Sequence, residues 1–387
     1  MTDKTYDAIV LGLGAMGSAA LYHLARRKWR TLGLERFQIP HEMGSAHGVT
    51  RIIRLAYYEH PSYVPLLIRA YELWRELERV ANEKLLHITG SIDAGPEHGR
   101  LFEGARLAAA QHGLPHEILT ARELRRRFPA FHLPAETMAL YQPEGGFLLP
   151  ERSIEAHARA AAACGATIHT GERVVRWEPA GGGVRVVTDV AEYRAERLVI
   201  AAGAWVGGIL PMLEKLAVPE RQVLAWFEPR APRLFQPDHF PVFNLAVEEG
   251  RYYGFPEFGV PGFKVGRYHH RSQTADPDRM DRQCHAEDET VLREFVEKYF
   301  PEGAGKALLM STCLFTNTPD EHFILDLHPQ WPQVVVCSPC SGHGFKFSAV
   351  IGEIAADLAV AGHTALDISL HRLKRFAETT GSSPTRV

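Results

Sequence analysis

The hydrophobic pattern of the first 35 residues predicts a strand, a helix and a second strand. Residues 8–11 form a short apolar run of the kind found in buried parallel strands. A glycine-rich turn follows, then a helical pattern over 18–27 and a second apolar run over 31–34. This order of elements is typical of the start of a Rossmann-like α/β domain.

Further along, helical and strand patterns alternate. The predicted helices cover 63–82 and 151–164, and the predicted strands cover 85–94, 167–177, 184–189 and 197–201. Three consecutive glycines at 181–183 predict the tip of a hairpin between two of these strands.

The composition changes twice in the second half of the chain. Residues 218–315 are rich in aromatics, prolines and alternating strands, which indicates a separate α+β substrate domain with a mainly antiparallel sheet. From 334 to 360 the pattern returns to strand, glycine-rich turn and helix. We therefore predict an α/β protein with two discontinuous domains. The nucleotide domain comprises 1–85, 150–217 and 318–387, and the substrate domain comprises 86–149 and 218–317.

The first turn carries Gly12, Gly14 and Gly17 in the GxGxxG spacing. Such glycines allow a tight turn, close approach to a pyrophosphate, and close packing of helix on strand. The helix N-terminus adds unpaired N–H groups for the phosphates. Glu35 lies about 20 residues on, where a carboxylate binds a ribose 2′-hydroxyl. The motif predicts FAD or NAD rather than NADP.

The 387 residues are 45% hydrophobic and 23% charged, with a formal net charge of -3. This balance argues against nucleic acid or an anionic membrane as the main partner. The sequence has no apolar run near the roughly 20 residues of a membrane span and no signal-peptide pattern. Five cysteines do not form a secreted disulfide framework. A cytoplasmic enzyme without a metal site is expected.

A second glycine-rich turn joins a predicted strand to a predicted helix near the C-terminus. It contains Ser341, Gly342, Gly344 and Lys346, and it can bring a second helix N-terminus to the same cofactor. An isolated lysine is ordinarily solvated, but this placement favours a functional role for Lys346.

Four motifs together resemble the family of monomeric sarcosine oxidase and N-methyltryptophan oxidase, which belongs to the D-amino-acid-oxidase-like flavoproteins. The motifs are the GxGxxG turn, the segment 44–54, the segment 312–323 and the turn 341–346. The resemblance implies FAD, a monomer, and oxidation of a secondary amino acid by O₂ to an imine and hydrogen peroxide. Sarcosine, another N-methyl amino acid, and a cyclic imino acid such as L-pipecolate stay open as substrates. An NAD-linked amino acid dehydrogenase and a non-catalytic flavin-binding protein are the alternatives.

The resemblance also implies roles for single residues. Cys313 would carry FAD through a thioether, although a lone cysteine is more often a small buried thiol. Arg54 and Lys346 would bind the substrate carboxylate, although Arg54 could equally end a strand at the surface. Lys264 would promote the reaction of reduced flavin with oxygen, whereas a lysine on an alternating strand is ordinarily exposed.

Further matches concern the flavin and the substrate pocket. The matched flavin-lining residues are Ser45, His47, Thr50 and Arg51, and the basic residues His47 and Arg51 would support covalent attachment and catalysis. His269 matches the active-site histidine of the substrate domain, but an extra residue nearby makes His270 a competing candidate. Tyr253 matches an aromatic of the substrate pocket, although an aromatic in a strand is more often part of the core.

The chain departs from the family pattern at three places. Phe315 stands where the family commonly has tyrosine, and Ala46 stands where a second histidine often precedes His47. Cys337 and Cys340 form a CxxC spacing, which we interpret as two structural thiols, with a labile disulfide as the alternative.

Overall fold

Helices and strands alternate through most of the chain in the computed structural model, which describes residues 5–338 and 340–376. The α-helices of this part are α1 Ala15–Ala25, α2 Tyr63–Ala81, α3 Arg100–Gln111, α4 Ala121–Arg127, α5 Pro150–Ala163, α6 Val206–Ile209, α7 Ala286–Tyr299 and α8 Ser348–Ala361. The strands are β1 Thr5–Leu11, β2 Thr31–Leu34, β3 Arg51–Ile53, β4 Leu86–Ile88, β5 Ser91–Pro96, β6 Glu117–Thr120, β7 Thr137–Gln142, β8 Gly146–Leu148, β9 Thr167–His169, β10 Val174–Ala180, β11 Gly183–Thr188, β12 Glu192–Ile200, β13 Val218–Phe227, β14 Val242–Val247, β15 Gly250–Phe255, β16 Phe263–Arg267, β17 Ala307–Asn317, β18 Ile324–Leu327 and β19 Val334–Ser338.

The contacts divide the chain into two compact units. Unit 1 comprises 1–41, 154–218 and 316–387, and unit 2 comprises 42–153 and 219–315. Residues 42–85, which the sequence analysis assigned to the nucleotide domain, fall in unit 2. The reason is strand pairing, because β3 and β4 both pair with β8 in a three-stranded sheet.

The centre of unit 1 is a parallel sheet. β1 pairs in parallel with β2 and β12, β2 pairs with β9, and β12 pairs with β19. An antiparallel hairpin, β10 and β11, extends one side of the sheet. Its turn contains Gly181 and Gly182 with φ angles of +57° and +83°, which confirms the predicted hairpin tip. Parallel strands covered by helices read as continuous apolar runs, and the strand residues at 8–11 are accordingly buried.

The main sheet of unit 2 is mainly antiparallel, with the order β17-β13-β16-β15-β14-β5-β7-β6, and β14 pairs in parallel with β5. Successive side chains point to opposite faces of a strand. One face packs into an apolar core under α7, with Phe243 and Val265 among its residues. The opposite face, here called the site face, carries Asp93, Asn244, Tyr253, Trp226 and Lys264, which lie on neighbouring strands in register.

The predicted α/β fold with a second, mainly antiparallel domain is confirmed. The strand expected at 85–94 is instead two strands, β4 and β5, because Gly90 has a φ of +79° and turns the chain. The strand expected at 167–177 is likewise split into β9 and β10 around Gly171, whose φ is +69°. Among the described residues, no helix combines the length and the hydrophobicity that a membrane crossing needs.

Candidate active site

The glycine turn of unit 1 joins β1 to α1. Gly12 has a φ of +84°, and a Cβ there would lie 2.6 Å from the carbonyl oxygen of Ala201 on the neighbouring segment. A Cβ on Gly17 would collide with the carbonyl oxygen of Gly12. At Gly14, the N-cap of α1, a Cβ would meet open space, and no side chain caps this helix end. Backbone N–H groups at such an end are available to an anion.

Glu35 lies beside this turn and is 4% exposed. Its Oε2 accepts a hydrogen bond of 2.7 Å from the backbone N–H of Leu13, and its Oε1 accepts one of 2.9 Å from Phe37. The carboxylate is therefore fixed at the end of β2 and next to the glycine turn, which is where an adenosine ribose would need it.

The second glycine-rich turn of unit 1 is held in place by the preceding motif. Oγ of Ser341 accepts a hydrogen bond of 3.2 Å from the backbone N–H of Thr318, and His343 Nε2 lies 2.9 Å from the carbonyl oxygen of Glu321. Gly342 has a φ of +74°. Two of the four sequence motifs thus pack against each other within unit 1.

Lys346 lies on a short 3₁₀ turn that leads into α8. Its side chain is not solvated, since the residue is 4% exposed. Nζ donates a hydrogen bond of 2.7 Å to the carbonyl oxygen of His343. The alternative of an ordinary surface lysine is therefore wrong.

Lys264 of unit 2 projects from β16 onto the site face and is 1% exposed. Its ammonium donates to the carbonyl oxygens of Gly48 and Thr50 at 2.6 and 2.8 Å, and to Oγ1 of Thr50 at 3.0 Å. Burial lowers the pKa of Lys264 well below its ordinary value, the Arg51 guanidinium lowers it further, and Glu151 opposes the shift. Lys264 is therefore not the exposed lysine that a position on an alternating strand ordinarily predicts.

Further hydrogen bonds stabilise the segment 45–51, to which Lys264 donates. Arg51 donates to the carbonyl oxygens of Thr50 at 2.9 Å and Ser45 at 2.8 Å. Glu151 accepts from the backbone N–H groups of Gly48 at 2.5 Å and Val49 at 3.1 Å. Val49 has a φ of +73°, which is strained for a β-branched residue. The structure therefore brings the predicted residues of this segment together around one lysine.

His47 belongs to the same segment and is buried, with 2% exposure. Thr50 is equally buried. The backbone N–H of Thr50 donates to the carbonyl oxygen of Gly48 at 2.9 Å, which closes a tight turn. The predicted flavin-lining residues of this segment thus share one compact turn of unit 2.

Cys313 lies on β17 and is 1% exposed. It packs in a small apolar cluster with Leu224 and Trp226, and Tyr253 lies against this cluster. Burial raises the pKa of Tyr253 well above its ordinary value, and the nearby Cys313 raises it further. The ring of Tyr253 contacts that of Tyr268, with centroids 5.1 Å apart. Cys313, Tyr253 and Lys264 are thus neighbours on the site face.

Arg54 follows β3 and is 1% exposed, so the interpretation of a surface residue is wrong. Nε donates to Oδ2 of Asp93 at 3.1 Å, and Nη2 donates to Oε2 of Glu59 at 2.9 Å. Burial by itself lowers the pKa of Arg54, but the two carboxylates raise it well above its ordinary value. The guanidinium lies against the rings of Tyr57 and Tyr58, at 4.6 and 5.0 Å from their centroids.

The two histidines that compete in the sequence have different surroundings. The side chain of His269 is 36% exposed, and its Nδ1 lies 3.0 Å from Oε2 of Glu220. Its ring also lies edge-on to Phe315, with centroids 6.5 Å apart. The side chain of His270 has no exposed surface and its Nε2 lies 3.1 Å from Oδ1 of Asp288 on α7. His270 therefore belongs to the interior, and His269 is the accessible one.

The cysteines are free thiols, so Cys337 and Cys340 form no disulfide. Cys337 is buried at the end of β19, and burial raises the pKa of its thiol to about 12. The thiol of Cys340 accepts a hydrogen bond of 3.3 Å from the backbone N–H of Thr316. In the described part of the chain, no group of three His, Cys, Asp or Glu side chains is placed to hold a metal ion.

Sequence reasoning missed the acidic residues that surround the predicted cations. These are Glu59, Asp93, Glu151 and Glu220. Only Asp93 carried a usable signal, because an aspartate inside a strand is unusual and alternation places it opposite the buried Ile92. The others are distant in sequence from the side chains they contact or lie in loops without a periodic pattern.

The residues of unit 1 fit a flavin dinucleotide. The open backbone at Gly14 suits a pyrophosphate, the fixed carboxylate of Glu35 suits a ribose, and the turn around Gly342 offers a second set of backbone groups. Backbone amides as donors for phosphate oxygens and one carboxylate as an acceptor for a ribose hydroxyl are the groups that suit an ADP-containing cofactor.

Comparisons with known proteins agree with this fit. The chain matches the family described as FAD dependent oxidoreductase over residues 7–358. It is 42% identical to a monomeric sarcosine oxidase of Streptomyces avermitilis over 378 residues, which covers 96% of this chain and 98% of that protein. It is 36% identical to an N-methyl-L-tryptophan oxidase of Yersinia pestis, covering 96% of this chain and 99% of that protein.

Among solved structures, NikD, an unusual amino acid oxidase essential for nikkomycin biosynthesis, superposes with a TM-score of 0.81 at 28% identity. The alignment covers 95% of this chain and 96% of NikD. These matches exclude the NAD-linked alternative, because the family that covers the glycine fingerprint is FAD-dependent. The chain is an FAD-dependent enzyme that belongs to the oxidoreductase family of monomeric sarcosine oxidase and N-methyl-L-tryptophan oxidase.

Proposed function

We propose that this protein oxidises an N-methyl amino acid, sarcosine or a larger relative, with O₂. One secondary amine, one O₂ and one water give the demethylated amino acid, formaldehyde and hydrogen peroxide. FAD, when bound, accepts two electrons and a proton from the substrate carbon and delivers them to O₂. The observation that supports this best is the 42% identity to a sarcosine oxidase over nearly the full length of both chains.

The substrate carboxylate is bound by Arg54, and Lys346 is the second cation that the sequence resemblance assigns to this role. Arg54 is supported by its burial and by its fixed guanidinium, and Lys346 by its burial at the N-terminal end of α8. A buried arginine offers directed hydrogen bonds to a carboxylate, whereas lysine adds a compact charge. A carboxylate held by a fixed cation would orient the amine for reaction.

Cys313 carries the FAD covalently, and Lys264 promotes the reaction with oxygen. Cys313 is supported by its motif and by its place beside Lys264 and Tyr253 on the site face. Lys264 is a buried cation whose three donors are all directed at oxygens of the segment 48–50. A cation fixed in a buried site stabilises negative charge that develops on a small molecule such as O₂. His269, oriented by Glu220, contacts the substrate.

The experiment that tests the proposal is an oxygen-consumption assay of the holoenzyme with sarcosine, N-methyl-L-tryptophan and L-pipecolate. We expect peroxide with at least one N-methyl amino acid and weaker activity with the matching primary amine. Activity restricted to L-pipecolate would replace the proposed substrate class with cyclic imino acids. A flavin-loaded protein that consumes no oxygen with any of them would support a non-catalytic flavoprotein.

A further inference from the structure

Arg54 and the two carboxylates next to it form a buried charge cluster on the site face. The side chains of Arg54 and Asp93 are each 1% exposed, and that of Glu59 is 3% exposed. Burying charges is unfavourable unless each is paired and hydrogen-bonded. A cluster of this kind inside a substrate domain therefore needs an explanation beyond packing.

The donors of the Arg54 guanidinium are divided unequally. Of the five N–H groups of an arginine, Nε points to Asp93 and one hydrogen of Nη2 points to Glu59. Nη1 makes no hydrogen bond to any of the residues that the structure describes. The rings of Tyr57 and Tyr58 lie against the guanidinium and limit its rotation. The Nη1 end is thus the part of the cation left for an anionic ligand.

Asp93 is itself held by the sheet. Its Oδ1 accepts a hydrogen bond of 2.8 Å from Nδ2 of Asn244, which is its direct partner across the β5–β14 pair. Its Oδ2 accepts the bond from Nε of Arg54. Because both residues belong to paired strands, the carboxylate transfers the rigidity of the sheet to a cation that lies in a loop.

We propose that Asp93 is a positioning residue for substrate binding. Through Asn244 and Arg54 it presents the Nη1 end of the guanidinium to the substrate carboxylate, and its negative charge limits how tightly that carboxylate is bound. This inference rests on the proposed function, since it takes the carboxylate of an amino acid as the ligand of Arg54.

The charge of Asp93 makes the cluster sensitive to pH. Burial raises the pKa of Asp93 to about 6, although the Arg54 charge and the hydrogen bond from Asn244 act in the opposite direction. The other ionisable groups that face the cluster are Glu59, Tyr57, Tyr58, Tyr268 and Arg251. Burial raises the pKa values of the three tyrosines, so these stay neutral below pH 8. As the pH rises through about 6, Asp93 gains its charge and opposes an incoming carboxylate.

The test is equilibrium binding of acetate to the oxidised holoenzyme, followed by the visible absorption of the flavin at pH 5.5 and 7.5. We expect the wild-type dissociation constant of acetate to rise roughly tenfold between these two pH values. This is the scale of the repulsion that one nearby negative charge exerts on a bound anion. Asp93→Asn keeps the shape and the hydrogen bond to Nε, and it should abolish the rise. Asp93→Leu removes both, and it should weaken binding at pH 5.5 by roughly tenfold or more, the usual loss for a charged hydrogen bond.

Ser91→Ala is the matched control, because Ser91 lies on the same strand and face and its Oγ makes no hydrogen bond to the described residues. It should bind acetate like the wild type at both pH values. Wild-type binding by Asp93→Leu at pH 5.5, or an undiminished rise in Asp93→Asn, would overturn the proposal. If Asp93→Leu fails to retain flavin, Asp93→Asn decides alone. Because no turnover is needed, an enzyme that binds acetate as expected but oxidises no amino acid would refute only the proposed function.

Discussion

Nζ of Lys264 lies 2.6 Å from the carbonyl oxygen of Gly48, although 216 residues separate the two in the sequence. This hydrogen bond ties the strand β16 to the segment 45–51, which contains the predicted flavin-lining residues of the second sequence motif. Removing the ammonium would take one of two donors from the carbonyl oxygens of Gly48 and Thr50, which keep only the backbone N–H of Thr50 and the Arg51 guanidinium, respectively. The same lysine therefore serves the conformation of the segment and the proposed reaction with oxygen.

Replacing this lysine separates the two halves of the catalytic cycle. In Lys264→Met, we expect flavin reduction by substrate within roughly tenfold of the wild-type rate and reoxidation slowed by at least roughly a hundredfold, the scale of a lost electrostatic donor. Stopped-flow spectroscopy of anaerobically reduced enzyme mixed with O₂ measures this directly. Lys306→Met, at an exposed lysine that pairs with Glu228 at 4.0 Å, is the control. Reoxidation of Lys264→Met at the wild-type rate would show that Lys264 does not promote the reaction of reduced flavin with oxygen.

The pH dependence of reoxidation follows from the same residue. Burial lowers the pKa of Lys264 well below its ordinary value, so the ammonium loses its proton at a lower pH than an exposed lysine. The rate should therefore fall as the pH rises through this lowered pKa, and Lys264→Met should show no such fall. A wild-type rate with the same pH dependence as that of Lys264→Met would contradict the role of the charge.

The two buried cysteines should behave differently toward the flavin. In Cys313→Ser, acid precipitation should release the flavin, whereas in the wild type the precipitate should remain yellow and fluorescent. Cys337→Ser is the control, because burial raises the pKa of that thiol to about 12 and keeps it unreactive. Full release of flavin from the wild type would show that the attachment is not covalent.

The neighbouring histidines provide a matched pair of variants. His269→Asn should raise the KM for substrate by roughly tenfold and change Tm by less than about 2 °C, because His269 is partly exposed. His270→Asn should lower the unfolding free energy by about 1–3 kcal/mol, because it disturbs a fully buried contact with Asp288. Its KM should stay within about twofold. If His270→Asn raised the KM and His269→Asn lowered the unfolding free energy, then His270 would be the histidine that contacts the substrate.

A buried histidine of unit 1 should control the acid stability of the protein. His371 stacks on Phe323, with ring centroids 5.4 Å apart, and burial lowers its pKa to about 3. The unfolded chain therefore binds a proton that the folded chain does not, and stability is lost as the pH falls from about 6.5 toward 3. Between pH 7 and 5 this costs about 2 kcal/mol. In urea unfolding, the free energy of unfolding of His371→Phe should depend correspondingly less on pH than that of the wild type. An unchanged pH dependence would contradict this role of His371.

The sequence predicted the fold because its signals are local. The apolar run at 8–11, the three glycines from Gly12 to Gly17 and the carboxylate of Glu35 each act on their immediate neighbours, and the structure places them as expected. The strand breaks at Gly90 and Gly171 were missed because the pattern of apolar residues carries no information about the φ angle of a glycine.

The candidate site was predicted only in part because its electrostatics depend on contacts between distant residues. Arg54 could be named from its motif, but its pairing with Asp93 follows from the registration of β5 with β14. The choice between His269 and His270 likewise depends on which side chain reaches Asp288 on α7. Neither contact has a periodic signal in the sequence.

The central claim, oxidation of a secondary amino acid by a flavin oxidase, is tested most directly by stoichiometry. Holoenzyme supplied with sarcosine in air-saturated buffer would be assayed for oxygen, hydrogen peroxide and formaldehyde in the same sample, and the panel would be repeated with the larger N-methyl amino acids. We predict that one oxygen consumed gives one peroxide and one formaldehyde for at least one of these substrates. Substrate oxidation without peroxide, or peroxide without formaldehyde from every N-methyl amino acid, would contradict the account.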